Sequence, residues 1–138
     1  MQSGKIKLKA AQLNYFRRLA RKADKEILAL LVGEVTSPTI TRVDYFWYPL
    51  YAEQTKTCVS VDNASFLEFK KKAEALNLKI VGTIHSHGNW VPILSPTDYK
   101  GHVSDGDRIS GIVGVNKSRT RVYFWIAESA LPLRIEYI

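Results

Sequence analysis

The 138-residue sequence predicts an α/β layered sandwich with a mixed sheet. Three observations carry this expectation. Short apolar, β-branched runs recur along the chain, bounded by turn residues. A helical spacing of apolar residues appears in two places. No internal repeat, low-complexity tract or Pro/Gly-rich linker divides the sequence, so residues 1–138 are expected to form a single domain.

Leu13, Phe16, Leu19 and Ala20 lie at helical spacing within Lys9 to Lys22, with a basic opposite face. Ile27 to Val35 and Ile40 to Tyr48 are strand-like, and the turn residues Thr36-Ser37-Pro38-Thr39 join them as a hairpin. Thr57 to Val61 reads as a third strand. Asp62 or Asn63 can cap a helix running to about Leu76, with Phe66, Phe69, Ala73 and Leu76 on one face. Leu78 to His85 is a further strand, followed by a loop, Gly88 to Leu94, and a short helix from Ser95. Asp105-Gly106-Asp107 marks a turn. Ile109 to Val115, Arg121 to Ala127 and Leu133 to Tyr137 then read as closing strands.

Composition narrows the class. Hydrophobic residues make up 46% and charged residues 24%, as in ordinary soluble proteins. No apolar run approaches the ~20 residues that span a bilayer. The segment Met1 to Lys7 lacks the apolar core of a signal peptide, so cytoplasmic residence and no membrane association are expected. The single cysteine, Cys58, excludes an internal disulfide and a Cys-based zinc cluster. Placed in a strand, it reads as a small buried hydrophobe rather than a nucleophile. The net charge is +7, with 20 basic against 13 acidic residues. Much of it lies on Arg17, Arg18, Arg21 and Lys22 and on Lys70-Lys71-Lys72. This could dock an acidic partner, but a solvated helix face is the simpler reading. No recognised nucleic-acid module accompanies the charge, so no nucleic-acid partner is expected.

The densest chemistry is His85-Ser86-His87, then seven residues, then Ser95-Pro96-Thr97-Asp98. If the run Ile80-Val81-Gly82-Thr83-Ile84 is a strand, positions 85 and 87 project from one face and Ser86 from the other. Ser95 is a helix N-cap, Pro96 fits the first helical position, and Asp98 suits the positive end of the helix dipole. Two imidazoles and a carboxylate suit one zinc ion and leave a fourth position open for water. A base is still required. Glu26, Glu34, Glu53, Glu68, Glu74, Glu128 and Glu136 are the candidates. Glu68 and Glu74 fall on the polar side of a helix, whereas Glu26 sits at the mouth of the apolar run Ile27 to Gly33.

Glu26 followed by Ile-Leu-Ala-Leu-Leu-Val-Gly, with His-Ser-His-x7-Ser-x2-Asp downstream, resembles the JAMM (MPN+) zinc metalloprotease family, in its compact prokaryotic, stand-alone form. The resemblance covers most of the chain in element order. It implies a cytidine-deaminase-like three-layer α/β/α sandwich, one catalytic zinc, and cleavage after the C-terminus of ubiquitin or a ubiquitin-like protein, in deconjugation or precursor processing. Matched by position, it implies that His85, His87 and Asp98 ligate the metal, Glu26 is the general acid/base and Ser95 stabilises the oxyanion. Glu34 shares the strand parity of Glu26 but lies about 26 Å away along a strand, and the family pattern selects Glu26.

Some features depart from the pattern or lie outside it. Gly88 stands where the family usually has Pro, with Pro92 later. Trp90 is either a substrate-contacting residue or a packing anchor for the Gly88–Pro92 loop, and Ser86 packs or hydrogen-bonds behind the ligand strand. His102 reads as a surface histidine. The aromatic run Tyr45-Phe46-Trp47-Tyr48 and the loop from Ala52 to Lys56 are candidate borders of a groove for an extended C-terminal tail, though such a run commonly packs at alternate positions. A second reading, which the motif leaves open because it encodes the hydrolytic groups and not the pocket, is a zinc peptidase or amidase acting on a small amino-acid or peptidoglycan-like substrate. A non-catalytic scaffold is the reading its complete residue set argues against. Base deamination would need Pro-Cys-x-x-Cys, which one cysteine excludes. Oligomeric state is left open.

Overall fold

Lys5 and Lys7 alternate with Ile6 and Leu8, and this period of two builds the first strand, β1 (Gly4–Leu8), which buries Ile6 and Leu8. The computed structural model describes residues 4–22, 27–48, 52–54, 59–61, 71–77, 79–87, 108–116 and 119–138, with backbone alone at 52–54, 59–61 and 87. β1 is absent from the sequence reading, because two lysines in five residues look like a charged flank. Helix α1 (Ala10–Lys22) follows after Lys9, and buries Leu13, Phe16 and Ala20. Arg21 and Lys22 in its last turn oppose the negative end of the helix dipole.

The expected hairpin is present as β2 (Leu28–Ser37) and β3 (Ile40–Trp47). β4 (Ala52–Gln54) and β5 (Val59–Val61) form a separate antiparallel ribbon, so the segment read as a loop from Ala52 begins as a strand. β6 (Lys79–His87), β7 (Ile109–Asn116), β8 (Arg119–Ile126) and β9 (Leu131–Tyr137) complete the set. The sheet is mixed, as expected, in the order β1-β3-β2-β6-β7-β8-β9. β1 runs parallel to both β3 and β9, so the sheet closes into a barrel. β6 and β7 are parallel and the other neighbours antiparallel.

Successive residues of β2 serve two different cores. Ala29 and Leu31 join Leu13, Phe16 and Ala20 of α1, with Ile84, Val113 and Phe124 from other strands. Leu30 and Val32 point the other way and join Ala73, with Leu28, Tyr45, Trp47 and Ile80 packed around them. Ala73 comes from a helical segment, residues 71–75. β2 is therefore buried on both faces, which explains a continuous apolar run instead of an alternating one. The aromatic run divides accordingly. Phe46 lies 6.3 Å from Phe16 edge-on, Tyr48 stacks on Phe16, and Tyr45 and Trp47 pack on the opposite face.

Leu76, expected on the buried side of its helix, is 67% exposed. The helical segment ends before it, and Asn77 adopts φ 58°, with the Leu76 and Asn77 N–H groups donating back to Ala73 O and Glu74 O. The rest of that expected helix, residues 62–70, lies outside the described residues, as do Cys58, the turn Asp105–Asp107 and His102. No described helix is long and apolar enough to cross a membrane.

Three register shifts interrupt the described sheet, and two of them set which residues face α1. Val32 pairs with Tyr45 and Gly33 with Val43, so Asp44 is an extra residue in β3. The bulge lets both Val43 and Phe46 face α1 despite their odd separation. Gln12 of α1 takes up its backbone: Gln12 Nε2 donates to Asp44 O at 2.8 Å, and the Phe46 N–H donates to Gln12 Oε1 at 2.7 Å. The Asp44 carboxylate turns outward to Arg42, 2.9 Å away, whose guanidinium pKa is raised first by that hydrogen bond and then by its charge. Gly33 is required here, since a Cβ would lie 1.9 Å from Arg42 O. Gln12→Ala leaves two strand backbone groups without partners and is expected to lower stability by about 1–3 kcal/mol. Chemical denaturation reads the effect, and Gln12→Glu should recover part of it by keeping the acceptor for Phe46 N–H.

Candidate active site

The second irregularity lies in the strand that carries the histidines. Leu31 pairs with Gly82 but Val32 pairs with Ile80, so Val81 is an extra residue in β6. Val81 and Gly82 both lie on the α1 side, Val81 in the α1 core. The Val81 carbonyl accepts the Arg108 N–H at 3.0 Å, just before β7 begins. Beyond the bulge the alternation is inverted. Ile84 faces α1, and His85 shares the opposite face with its partner Leu28. Were the alternation unbroken from Ile80 onward, position 85 would point into the apolar core against α1.

His85 pairs with Leu28 on one side and with Ile112 on the other, and Ile112 pairs in turn with Tyr123. This row crosses four strands on one face of the sheet. His85 is 3% exposed, and Ile112 is fully buried. His87 occupies the next position of the same parity, about 6.6 Å further along the strand, in register with Gly114. The histidines therefore close the C-terminal end of β6 beside the parallel strand β7, the end at which α/β sheets bind ligands.

Ser86 lies between them on the α1 side, in register with Val113, and is 3% exposed. It makes two bonds to Ile27. Its backbone N–H donates to Ile27 O at 2.9 Å, and its Oγ accepts the Ile27 N–H at 2.9 Å. The ladder between β2 and β6 thus ends on the residue that follows Glu26 in the chain. This partner is not legible in the sequence, because pairing registers are not local. The only sequence trace of the bulge is Gly82.

Of the expected site residues, the structure places His85, Ser86 and the backbone of His87 on β6, whereas Glu26, Trp90, Ser95 and Asp98 lie outside the described residues. Among the described residues no three His, Cys, Asp or Glu side chains group together. Glu34, the alternative base, sits late in β2 and pairs with Arg42 at 3.3 Å. It belongs to the hairpin end, remote from position 85.

Residues 9–127 match the family model described as prokaryotic homologs of the JAB domain. No curated protein matches the chain. Among solved structures, the solution structure of protein DSY2949 from Desulfitobacterium hafniense is similar with a TM-score of 0.76 at 18% identity, covering 96% of this chain and 92% of that one. The crystal structure of AF2198, a JAB1/MPN domain protein from Archaeoglobus fulgidus, is similar with a TM-score of 0.59 at 17% identity, covering 100% of this chain and 99% of that one. At these identities the likeness is one of fold.

At Gly82 β6 approaches β7 closely, since a Cβ there would lie 1.9 Å from Ile109 O. Gly82→Ala forces β6 and β7 apart and is expected to lower stability by about 1–3 kcal/mol. Thermal unfolding checks this, and an unchanged midpoint would mean that the strands are not held so tightly together.

Proposed function

Because the chain belongs to the prokaryotic homologues of the JAB domain, we propose that it is a JAMM-type zinc peptidase that hydrolyses the bond after the C-terminus of a ubiquitin-like protein. The observation that carries this reading is the double bond pair between Ile27 and Ser86. It ties the residue that follows Glu26 in the chain to the residue between His85 and His87, which supports reading the two parts of the motif as one site. With α1 on one face and the 71–75 helical segment on the other, we read the architecture as the three-layer cytidine-deaminase-like arrangement.

The donor set fits zinc. His85 lies beyond the bulge on the face away from the α1 core, His87 stands two residues further along the same strand, and Asp98 would supply an anionic oxygen. When bound, zinc supplies a Lewis acid that acidifies water and polarises a carbonyl oxygen. Glu26 accepts the proton that the attacking water loses as its oxygen bonds to the carbonyl carbon. It then returns a proton to the amine nitrogen, so that the C–N bond breaks with a neutral leaving group. The Ser95 hydroxyl donates a hydrogen bond to the carbonyl oxygen as negative charge grows there. Trp90 and the Gly88–Pro92 loop, which follow the ligand strand, would flank the substrate tail. A cytoplasmic location goes with such a substrate.

Metal analysis of the purified protein should give about one zinc per chain, and Asp98→Ala should lose both zinc and hydrolysis. Glu26→Gln should keep the metal while kcat on a ubiquitin-like C-terminal fusion falls by about 10²–10⁴. Undiminished cleavage by Glu26→Gln would remove that residue from its role. Turnover of short peptides alone would point to the small-substrate amidase, and a chain that takes up no zinc would be a scaffold.

A further inference from the structure

We propose that Ser86 is a positioning residue for Glu26, acting through Ile27; this rests on the reading of Glu26 as the proton carrier. In a regular antiparallel ladder, the pair after Leu28 and His85 would exchange two backbone hydrogen bonds. Here only one is of that kind, from the Ser86 N–H to Ile27 O. The Ile27 N–H goes instead to the side-chain oxygen, Ser86 Oγ. A side chain has replaced a backbone carbonyl in the last rung.

This substitution has a geometric meaning. The peptide unit that carries the Ile27 N–H is the one that joins Ile27 to Glu26. A planar peptide has no internal freedom, so fixing its N–H fixes the direction in which the chain arrives from Glu26. The anchor sits between His85 and His87 in the same strand, and Ser86 is almost wholly buried. Water therefore competes poorly for the bond. The strand that carries the histidines and the chain entering β2 are held in one frame by this hydroxyl.

The hydroxyl can be removed without altering the other rung. Ser86→Ala deletes the acceptor, and Ser86→Thr restores one on a side chain suited to a strand. Two readouts are independent of hydrolysis: amide hydrogen exchange at Ile27 and the 13C resonance of the Glu26 carboxyl, both in zinc-loaded protein. We expect Ser86→Ala to keep one zinc per chain and to lose about fivefold to tenfold of the exchange protection at Ile27. The Glu26 resonance should move, and Ser86→Thr should bring both back. On a ubiquitin-like C-terminal fusion, kcat should fall about tenfold to hundredfold with KM held. That loss should vanish in a Glu26→Gln background, as for two residues acting in one unit.

Loss of zinc in Ser86→Ala would overturn the proposal, because Ser86 would then serve the ligands. So would an unmoved Glu26 resonance beside faster exchange at Ile27. Should Ser86→Ala not fold, Ser86→Cys, with a weak sulfur acceptor, takes its place in the same measurements. A parent protein that holds zinc but hydrolyses nothing would defeat the functional reading alone, since exchange and the carboxyl resonance would still decide the role of Ser86.

Discussion

A one-residue excess in β6 decides which face of the sheet carries His85. Strand side chains alternate, so a single insertion sends everything downstream to the other surface. Val81 is that insertion, held by the Arg108 N–H and accommodated next to a glycine with no room for a Cβ. Upstream of it, Ile80 lies on the face away from α1; downstream, Ile84 takes the α1 side and His85 the other.

The same economy governs α1. Its apolar stripe fills one face of the sheet, and its single glutamine repairs the break that the β3 bulge makes at Asp44 and Phe46. Arg17 reaches β8, with Nε donating to Thr120 Oγ1 at 2.6 Å. Part of what reads in sequence as a basic helix face is thus engaged in packing. Tyr15 lies edge-on to Tyr48 and under Arg18, so the exposed side of the helix is partly organised too.

Much of this was legible in the sequence, for physical reasons that differ by element. α1 and the β2–β3 hairpin announce themselves through local periodicity and the turn at Pro38, and both stand within a residue or two of their expected limits. β1 is not legible because its lysines hide a short alternation, and the helical segment bearing Ala73 stops at residue 75, one short of its expected end, where a left-handed Asn77 turns the chain and leaves Leu76 exposed. At the candidate site, residue types and spacing identify His85 and His87 as a pair on one strand. The bulge that sets their face and the Ile27–Ser86 rung belong to cross-strand pairing, which no local pattern encodes.

β1 closes the sheet by lying between β3 and β9, and so covers the flanks of both. Its five residues do more than add buried area. Trimming or displacing them would uncover two rows of unpaired amides and carbonyls, the surfaces on which foreign strands assemble into aggregates. Shielding the β3 and β9 flanks from foreign strands is therefore entrusted to the least conspicuous segment of the chain.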